Sequence, residues 1–468
     1  MAYIYAEHGM NNEFLGLEKQ LFVTDNKRNS FPIVSEKANK SISSLVCNLF
    51  AAVNRHFDDN QPLISVKELL KVAKSNKAIN DCFEFFYTEY KDRTQADINV
   101  LSEYRDILYE IRYIDIVAEA DEDAYTIFEV LNARGLPLTD FELLRNYLLR
   151  YSADDQKDIV KNQLIELEEL LGSDSEMFLK HYALHKYGAK TDKNANRPYK
   201  VIANKEKGNT TKLIEDLLLK GRYYKKMTAY NNCTPLEKKV FSFFKPRRQQ
   251  QFRPLVMGMM HQNDMKHLSN ELYNQYLEYL YEFFICYNII GKQASNKIED
   301  IVYGYSYKME NSFSDSLLHE FKKSMASRIP SKENFVNSIK GLRYSHKYKA
   351  YSDNKTRENV FAIYELLEKE LGYEGSFEDK NIEHCNPDAE NEENSHIGNL
   401  MLLESVINEE RCRGKRLAQK VDEYRNSALK YPHIIRTRFL NDGHLDYEKN
   451  CDYVAGILYD RIKAVALG

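Results

Sequence analysis

The chain has no tryptophan, and its 468 residues include only 18 glycines and 10 prolines. Glycine and proline together run at about half their usual share. Few of either means few tight turns, which argues against a sandwich or barrel and for a helix-rich protein. An excess of one charge is also missing: 66 Lys and Arg face 70 Asp and Glu, a net charge of −4. Any nucleic-acid contact must therefore come from a local basic face. No stretch is apolar for the roughly 20 residues that a membrane span needs. The most apolar one, Leu280 to Ile290, carries Glu282 and Asn288. The opening MAYIYAEHGM has no basic or apolar leader region, so no signal peptide is expected. Seven cysteines (Cys47, Cys82, Cys233, Cys286, Cys385, Cys412 and Cys451) never form Cys-x-x-Cys. Their odd number and scatter predict reduced thiols in a cytoplasm, not a disulfide framework or a four-cysteine zinc site. What is present is enough to fold: 43% hydrophobic residues, with 34 Tyr and 23 Phe to fill cores. With 29% charged residues, wholesale disorder is excluded.

The first 45 residues carry little pattern beyond Gln20 to Thr24 and Ser30 to Val34, which read as short strands joined by a turn at Asp25-Asn26. From about Leu45 the periodicity is helical. Val160, Leu164, Leu167 and Leu171 mark one helix, stopped by Gly172. Val360, Tyr364, Leu367 and Leu371 mark another, stopped by Gly372. Tyr273, Leu277, Leu280 and Phe284 mark a third. Asp121, Glu122 and Asp123 suit the start of a helix that stops near Asn132-Ala133-Arg134-Gly135. Thr139 to Glu142 then reads as a capping box opening a second helix, with Phe141, Leu144 and Leu148 as its apolar stripe.

Lys180 to Lys212 departs from the neutral average, with nine Lys or Arg and two acids. Tyr182, Tyr187 and Tyr199 are interleaved with these cations. Such a segment can grip phosphates, with Lys190, Lys193, Arg197 and Lys200 as the candidates, or stay a solvated loop. Lys245, Arg247 and Arg248 form a smaller basic knot. His181 and His185 share one helix face, but no third ligand lies near them in sequence.

The stretch richest in chemistry runs from Asn381 to Ser427. Asn381 to Cys385 and Ile397 to Leu403 read as two strands around an acidic hairpin loop, in which His396 is expected in solvent. Ser405 or the residues after it open a helix containing Asn408. This strand–strand–helix (ββα) unit puts Glu383 and His384 at a strand end and Asn408 at a helix start. Phosphodiester hydrolysis has a use for those types. A neutral imidazole can deprotonate water near pH 7, which makes His384 the candidate base. A hard divalent cation, Mg²⁺ or Mn²⁺, accepts oxygen ligands, which Glu383 and Asn408 can supply. Asn399 could orient the imidazole. Arg413, Lys415 and Lys420 follow closely and could meet DNA phosphates.

The unit resembles the His-Me finger (HNH) nuclease module. More closely, it is similar to the nuclease domain of GmrSD-type, modification-dependent restriction endonucleases. The residues that carry the likeness are Ile382-Glu383-His384 with Pro387, Ile397-Gly398-Asn399-Leu400 with Leu402-Leu403, then Asn408, Lys420, Tyr424 and Ser427. Phe128 to Gly135 with Leu138 to Leu144 is similar to the end of that family's sensor domain. The family's Asp-Gly-Gln-Gln-Arg signature of a ParB-like fold does not occur here. The expectation is a chain that starts just past it, with Asn132 and Arg134 as at most half of a nucleotide pocket. The fold implied is α+β and predominantly α-helical. Residues 1–172 would be a residual sensor part, 173–330 a helical middle and 331–468 an HNH nuclease domain. The function implied is a cytoplasmic, metal-dependent endonuclease of double-stranded, foreign or modified DNA in a restriction or antiphage system. Double-stranded DNA is the expected partner, a separate sensor subunit is left open as a further one, no membrane is involved and the oligomeric state is open. Two alternatives stand: a non-catalytic DNA-binding or regulatory subunit, and a structural remnant of a broken defence gene.

Overall fold

Helical periodicity dominates the sequence, and helices dominate the structure. The computed structural model describes residues 1–24, 30–34, 36–95, 97–112, 138–190, 197–206 and 208–464. The helix expected near 121–132, the Asp25-Asn26 turn, and Lys193 lie outside them. The chain divides into two compact units, Met1–Val117 and Ala118–Gly468.

The first unit packs the helices Ala2–Glu7, Asn11–Leu21, Glu36–Asp58, Val66–Ala73, Lys77–Thr94 and Val100–Glu110. Its core joins Tyr3, Ile4, Tyr5, Phe14, Phe50, Val53 and Leu69. The expected hairpin forms as Phe22–Thr24 against Ser30–Pro32, antiparallel, with Thr24 opposite Ser30. The two helices before it were not legible. Ala2–Glu7 buries four consecutive residues, which no 3.6-residue period marks, and Asn11–Leu21 buries only Phe14.

The second unit begins, among the described residues, with the capping box. The Thr139 hydroxyl accepts from the Glu142 amide, and the Glu142 carboxylate accepts from the Thr139 amide. Phe141, Leu144 and Leu148 of that helix, Asp140–Tyr151, are buried as the stripe predicts. Val160, Leu164, Leu167 and Leu171 are buried on Lys157–Leu171, and Gly172 follows at φ 54°, a backbone that favours glycine. Tyr273, Leu277, Leu280 and Phe284 are buried on Asn270–Phe284. Among the described residues no helix is long and apolar enough to cross a membrane.

Two strands near the C-terminal end position the site. Lys380–His384 pairs antiparallel with Leu400–Glu404, His384 opposite Leu400. The second strand starts later than expected, because Ile397–Asn399 forms a tight helical turn. Tyr364, on the helix Asn354–Glu370, donates to the Ile397 carbonyl at 2.5 Å. A Cβ at Gly398 would collide with the backbone of Tyr447, so the motif's glycine is what lets the helix Tyr447–Ala464 seat on this turn. Asn450 completes that contact by donating to the Gly398 carbonyl at 2.8 Å. After the second strand, Ile407–Cys412 makes one wide helical turn that carries Asn408.

Candidate active site

Glu383, His384, Asn408 and Arg413 line one cleft of ≈ 940 Å³. Its opposite wall comes from Tyr344, His346, Lys347 and Arg357, and Asp388 lies on the loop after the first strand.

His384 is 8% exposed. Its ring lies face-on to Tyr344, centroids 5.9 Å apart. Its Nε2–H donates to the Tyr344 carbonyl at 3.0 Å. A carbonyl can only accept, so the neutral ring is the Nε2–H tautomer and Nδ1 carries the lone pair. Burial pulls the imidazole below the usual histidine range, against the Tyr344 carbonyl and the Asp388 carboxylate 3.8 Å away. The ring is thus neutral at pH 7, as a proton acceptor must be. Asp388 is itself fixed: it accepts from the Ser345 hydroxyl at 2.6 Å and the His346 amide at 3.2 Å. Burial raises its pKa, but those donors and the imidazole more than offset this and hold the carboxyl below its usual range.

Glu383 is 4% exposed. Its Oε1 meets the Lys420 ammonium at 2.8 Å and the Tyr424 hydroxyl at 3.2 Å. Burial pushes its carboxyl up, with Lys420 and Tyr424 pulling the other way. Oε2 takes no side-chain hydrogen bond among the described residues. Asn408 donates through Nδ2 to the Ile382 carbonyl at 3.3 Å, which pins the wide turn to the strand. The cleft therefore offers one carboxylate oxygen and one amide oxygen, both hard donors. Among the described residues no group of three or more His, Cys, Asp and Glu gathers as a metal cage. A two-ligand oxygen set suits Mg²⁺ or Mn²⁺, which keep most of their waters, rather than zinc.

Three expectations need correction. Asn399 does not reach the imidazole. Its Oδ1 accepts from the Asn386 amide at 2.8 Å, and its Nδ2 donates to the carbonyls of Asn386 (2.8 Å) and Asn394 (2.7 Å). The register explains this: His384 faces Leu400, so Asn399 lies one step past the pair, where the loop must be closed. Lys420 lines the cleft, but as a buried and already paired ammonium rather than a free phosphate contact. It is 4% exposed, donating to the His384 carbonyl at 2.7 Å besides pairing with Glu383. With Tyr424 on Glu383 and Ser427 donating to Glu404 at 2.7 Å, the Lys-x-x-x-Tyr-x-x-Ser spacing grips both strands of the hairpin. His396 is buried, not solvated, because its Nδ1 accepts from the Gly398 amide and its ring lies against Tyr447.

Of the other candidates, Arg413 is exposed on the cleft rim and Lys415 is half-buried just after it. Lys190 and Lys200 are exposed. Arg197 is half-buried and tied down, donating to Asp140 at 3.2 Å and to the Leu138 carbonyl at 2.8 Å. Asn132 and Arg134 lie outside the described residues. The basic knot is largely structural: Arg247 donates to Asn359, the Phe243 carbonyl and Glu358, and Lys245 to the Thr228 carbonyl. His181 and His185 take different partners, Tyr224 for the first and Ser306 with Glu310 for the second. Sequence reasoning missed Tyr344, His346 and Asp388. The segment Arg343 to Lys349 (RYSHKYK) carried a signal, a histidine among cations and tyrosines, but nothing local ties it to a strand 40 residues on.

Residues 12–149 match the family model described as the GmrSD restriction endonuclease, N-terminal domain. The match ends well before the cleft. No curated protein matches the chain.

Proposed function

We propose that this chain is a metal-dependent endonuclease of double-stranded DNA serving restriction or antiphage defence, and that residues 331–468 form its HNH (His-Me finger) nuclease domain. The observation that carries the reading is the buried His384 imidazole. It is fixed as the Nε2–H tautomer on a strand end, in one cleft with Glu383 and Asn408. The similarity of residues 12–149 to the GmrSD N-terminal domain supports the restriction role.

The residues divide the work as follows. His384 takes a proton from the attacking water at Nδ1, while its Nε2–H stays anchored on the Tyr344 carbonyl. Tyr344 stacks on the ring and stops it turning. Glu383 and Asn408 would hold one Mg²⁺ or Mn²⁺, which supplies charge stabilisation to the scissile phosphate and its leaving oxygen. Lys420 and Tyr424 hold the Glu383 carboxylate in place through Oε1. Arg413, Lys347 and Arg357 line the cleft and attract the phosphate backbone.

Titration with Mn²⁺ tests the ligand pair independently of turnover. The expected result is one site in the wild type, lost in Glu383→Ala and weakened in Asn408→Ala. Unchanged binding in both variants would reject the pairing. Cleavage of duplex DNA by the full chain should appear with Mg²⁺ or Mn²⁺ and vanish with chelator.

A further inference from the structure

We infer that His346 is the acid of the His384 cleft: it gives the leaving oxygen its proton while His384 takes one from the attacking water. This role rests on reading the cleft as a nuclease site, and it adds a second imidazole to the chemistry. An alkoxide is a poor leaving group in water, and a positioned acid that protonates it in the transition state removes that difficulty. His346 lines the cleft together with Glu383, His384 and Asn408. The two imidazole rings lie 6.2 Å apart between centroids, tilted by 53°. That spacing lets each ring meet, through one hydrogen bond of about 2.6–3.2 Å, a different oxygen of a single phosphorus. Tyr344 stands against both rings, 5.9 Å from His384 and 5.2 Å from His346. Its hydroxyl lies 3.2 Å from either nitrogen of His346. Among the described residues the His346 ring has no other hydrogen-bond partner, so a second ring position is open to substrate. The backbone beneath it is fixed, since the His346 amide donates to Asp388 at 3.2 Å.

Burial divides the roles. Two imidazoles this close resist carrying a charge each. His384 is 8% exposed and takes the neutral role. His346 is exposed, and water and the Asp388 carboxylate support its protonated form. The other donors of the cleft are unsuited to the task. Arg357 and Arg413 do not release a proton. Lys420 is committed to Glu383, and Lys347 is a point charge suited to non-bridging oxygens. Burial pushes the Tyr344 hydroxyl above the usual tyrosine range. The step balances. The water oxygen bonds to phosphorus as its proton passes to Nδ1 of His384. The bond from phosphorus to the bridging oxygen breaks. That oxygen keeps the bonding pair, takes the His346 proton and leaves as an alcohol. His384 ends protonated and His346 neutral, and exchange with solvent resets both.

A substrate with bridging sulfur separates the acid from any other role of His346. A thiolate leaves without a proton, because thiols are far stronger acids than alcohols. With the full chain and Mn²⁺, a cut site in a duplex oligonucleotide is mapped, and its product ends show whether the 3′ or the 5′ oxygen leaves. Sulfur then replaces that oxygen. In single-turnover cleavage, His346→Ala should lose about two to four orders of magnitude on the oxygen substrate and cut the sulfur one at the wild-type rate. His346→Gln, which keeps a polar partner for the Tyr344 hydroxyl but has no acidic proton, should do the same. His384→Ala should lose rate on both substrates. Binding of Mn²⁺ and, in chelator, of the duplex should be unchanged in His346→Ala. Wild-type rates of both His346 variants on the oxygen substrate, equal losses on the two substrates, or a weakened Mn²⁺ site would overturn the proposal and leave the nuclease reading standing. Absence of cleavage by the wild type would remove both.

Discussion

Lys420 shows why a single residue's role was hard to read. In sequence it is one more cation after Arg413 and Lys415, indistinguishable from a phosphate contact. In the fold it is buried between a carboxylate and a carbonyl, and its charge is spent on holding Glu383. Removing one partner of a buried pair leaves the other charge without compensation. Lys420→Met should therefore destabilise the protein by about 3–5 kcal/mol. Pairing it with Glu383→Gln, which removes the orphaned charge, should recover a large part of that loss. Denaturant unfolding of the two variants beside wild type decides the matter. Equal stability of Lys420→Met and wild type would mean that the pair does not organise the site. Asn399 teaches the same lesson from the other side. Its place next to the hairpin was legible, but its contact was not, because only the register of Leu400 against His384 shows that it closes the loop.

Elements with strong local signals were the legible ones. The Thr139–Glu142 box and the apolar stripes ending at Gly172 and Phe284 each carry their boundary in adjacent residues. The helix Ala2–Glu7 and the wide turn Ile407–Cys412 do not, since tertiary packing rather than local propensity makes them. The helix Ser175–Tyr187 adds a testable consequence. Its His181 is buried against Tyr224, and burial, aided by the charges of Arg253 and Lys180, pulls its pKa down to about 3. Unfolded, the same imidazole would take a proton near pH 6.5. As pH falls from 6.5 toward 3 the unfolded chain therefore binds a proton that the folded chain refuses, and stability drops. His181→Gln should show a smaller fall in melting temperature between pH 7 and pH 4 than wild type. Parallel melting curves across that range would contradict the account.

At the scale of the whole molecule, residues close in sequence could be read together and the distant segments that meet them could not. The strands and the residues proposed as base and oxygen ligands could be read together because they fall within 30 residues of one another. The far wall of the cleft, Tyr344 to Lys347 and Arg357, was missed because the chain returns to it through the helix Asn354–Glu370. Within the basic segment, charge alone could not separate Arg197, locked onto Asp140, from Lys200 on the surface. The nuclease claim gathers these scales into one group, the Nδ1 of His384. Single-turnover cleavage of supercoiled plasmid, modified and unmodified, with Mg²⁺ or Mn²⁺ tests it most directly. His384→Ala should lose about two to four orders of magnitude in rate, the usual share of a positioned base, while its circular dichroism stays that of wild type. A folded His384→Ala variant that nicks DNA at the wild-type rate would contradict the assignment.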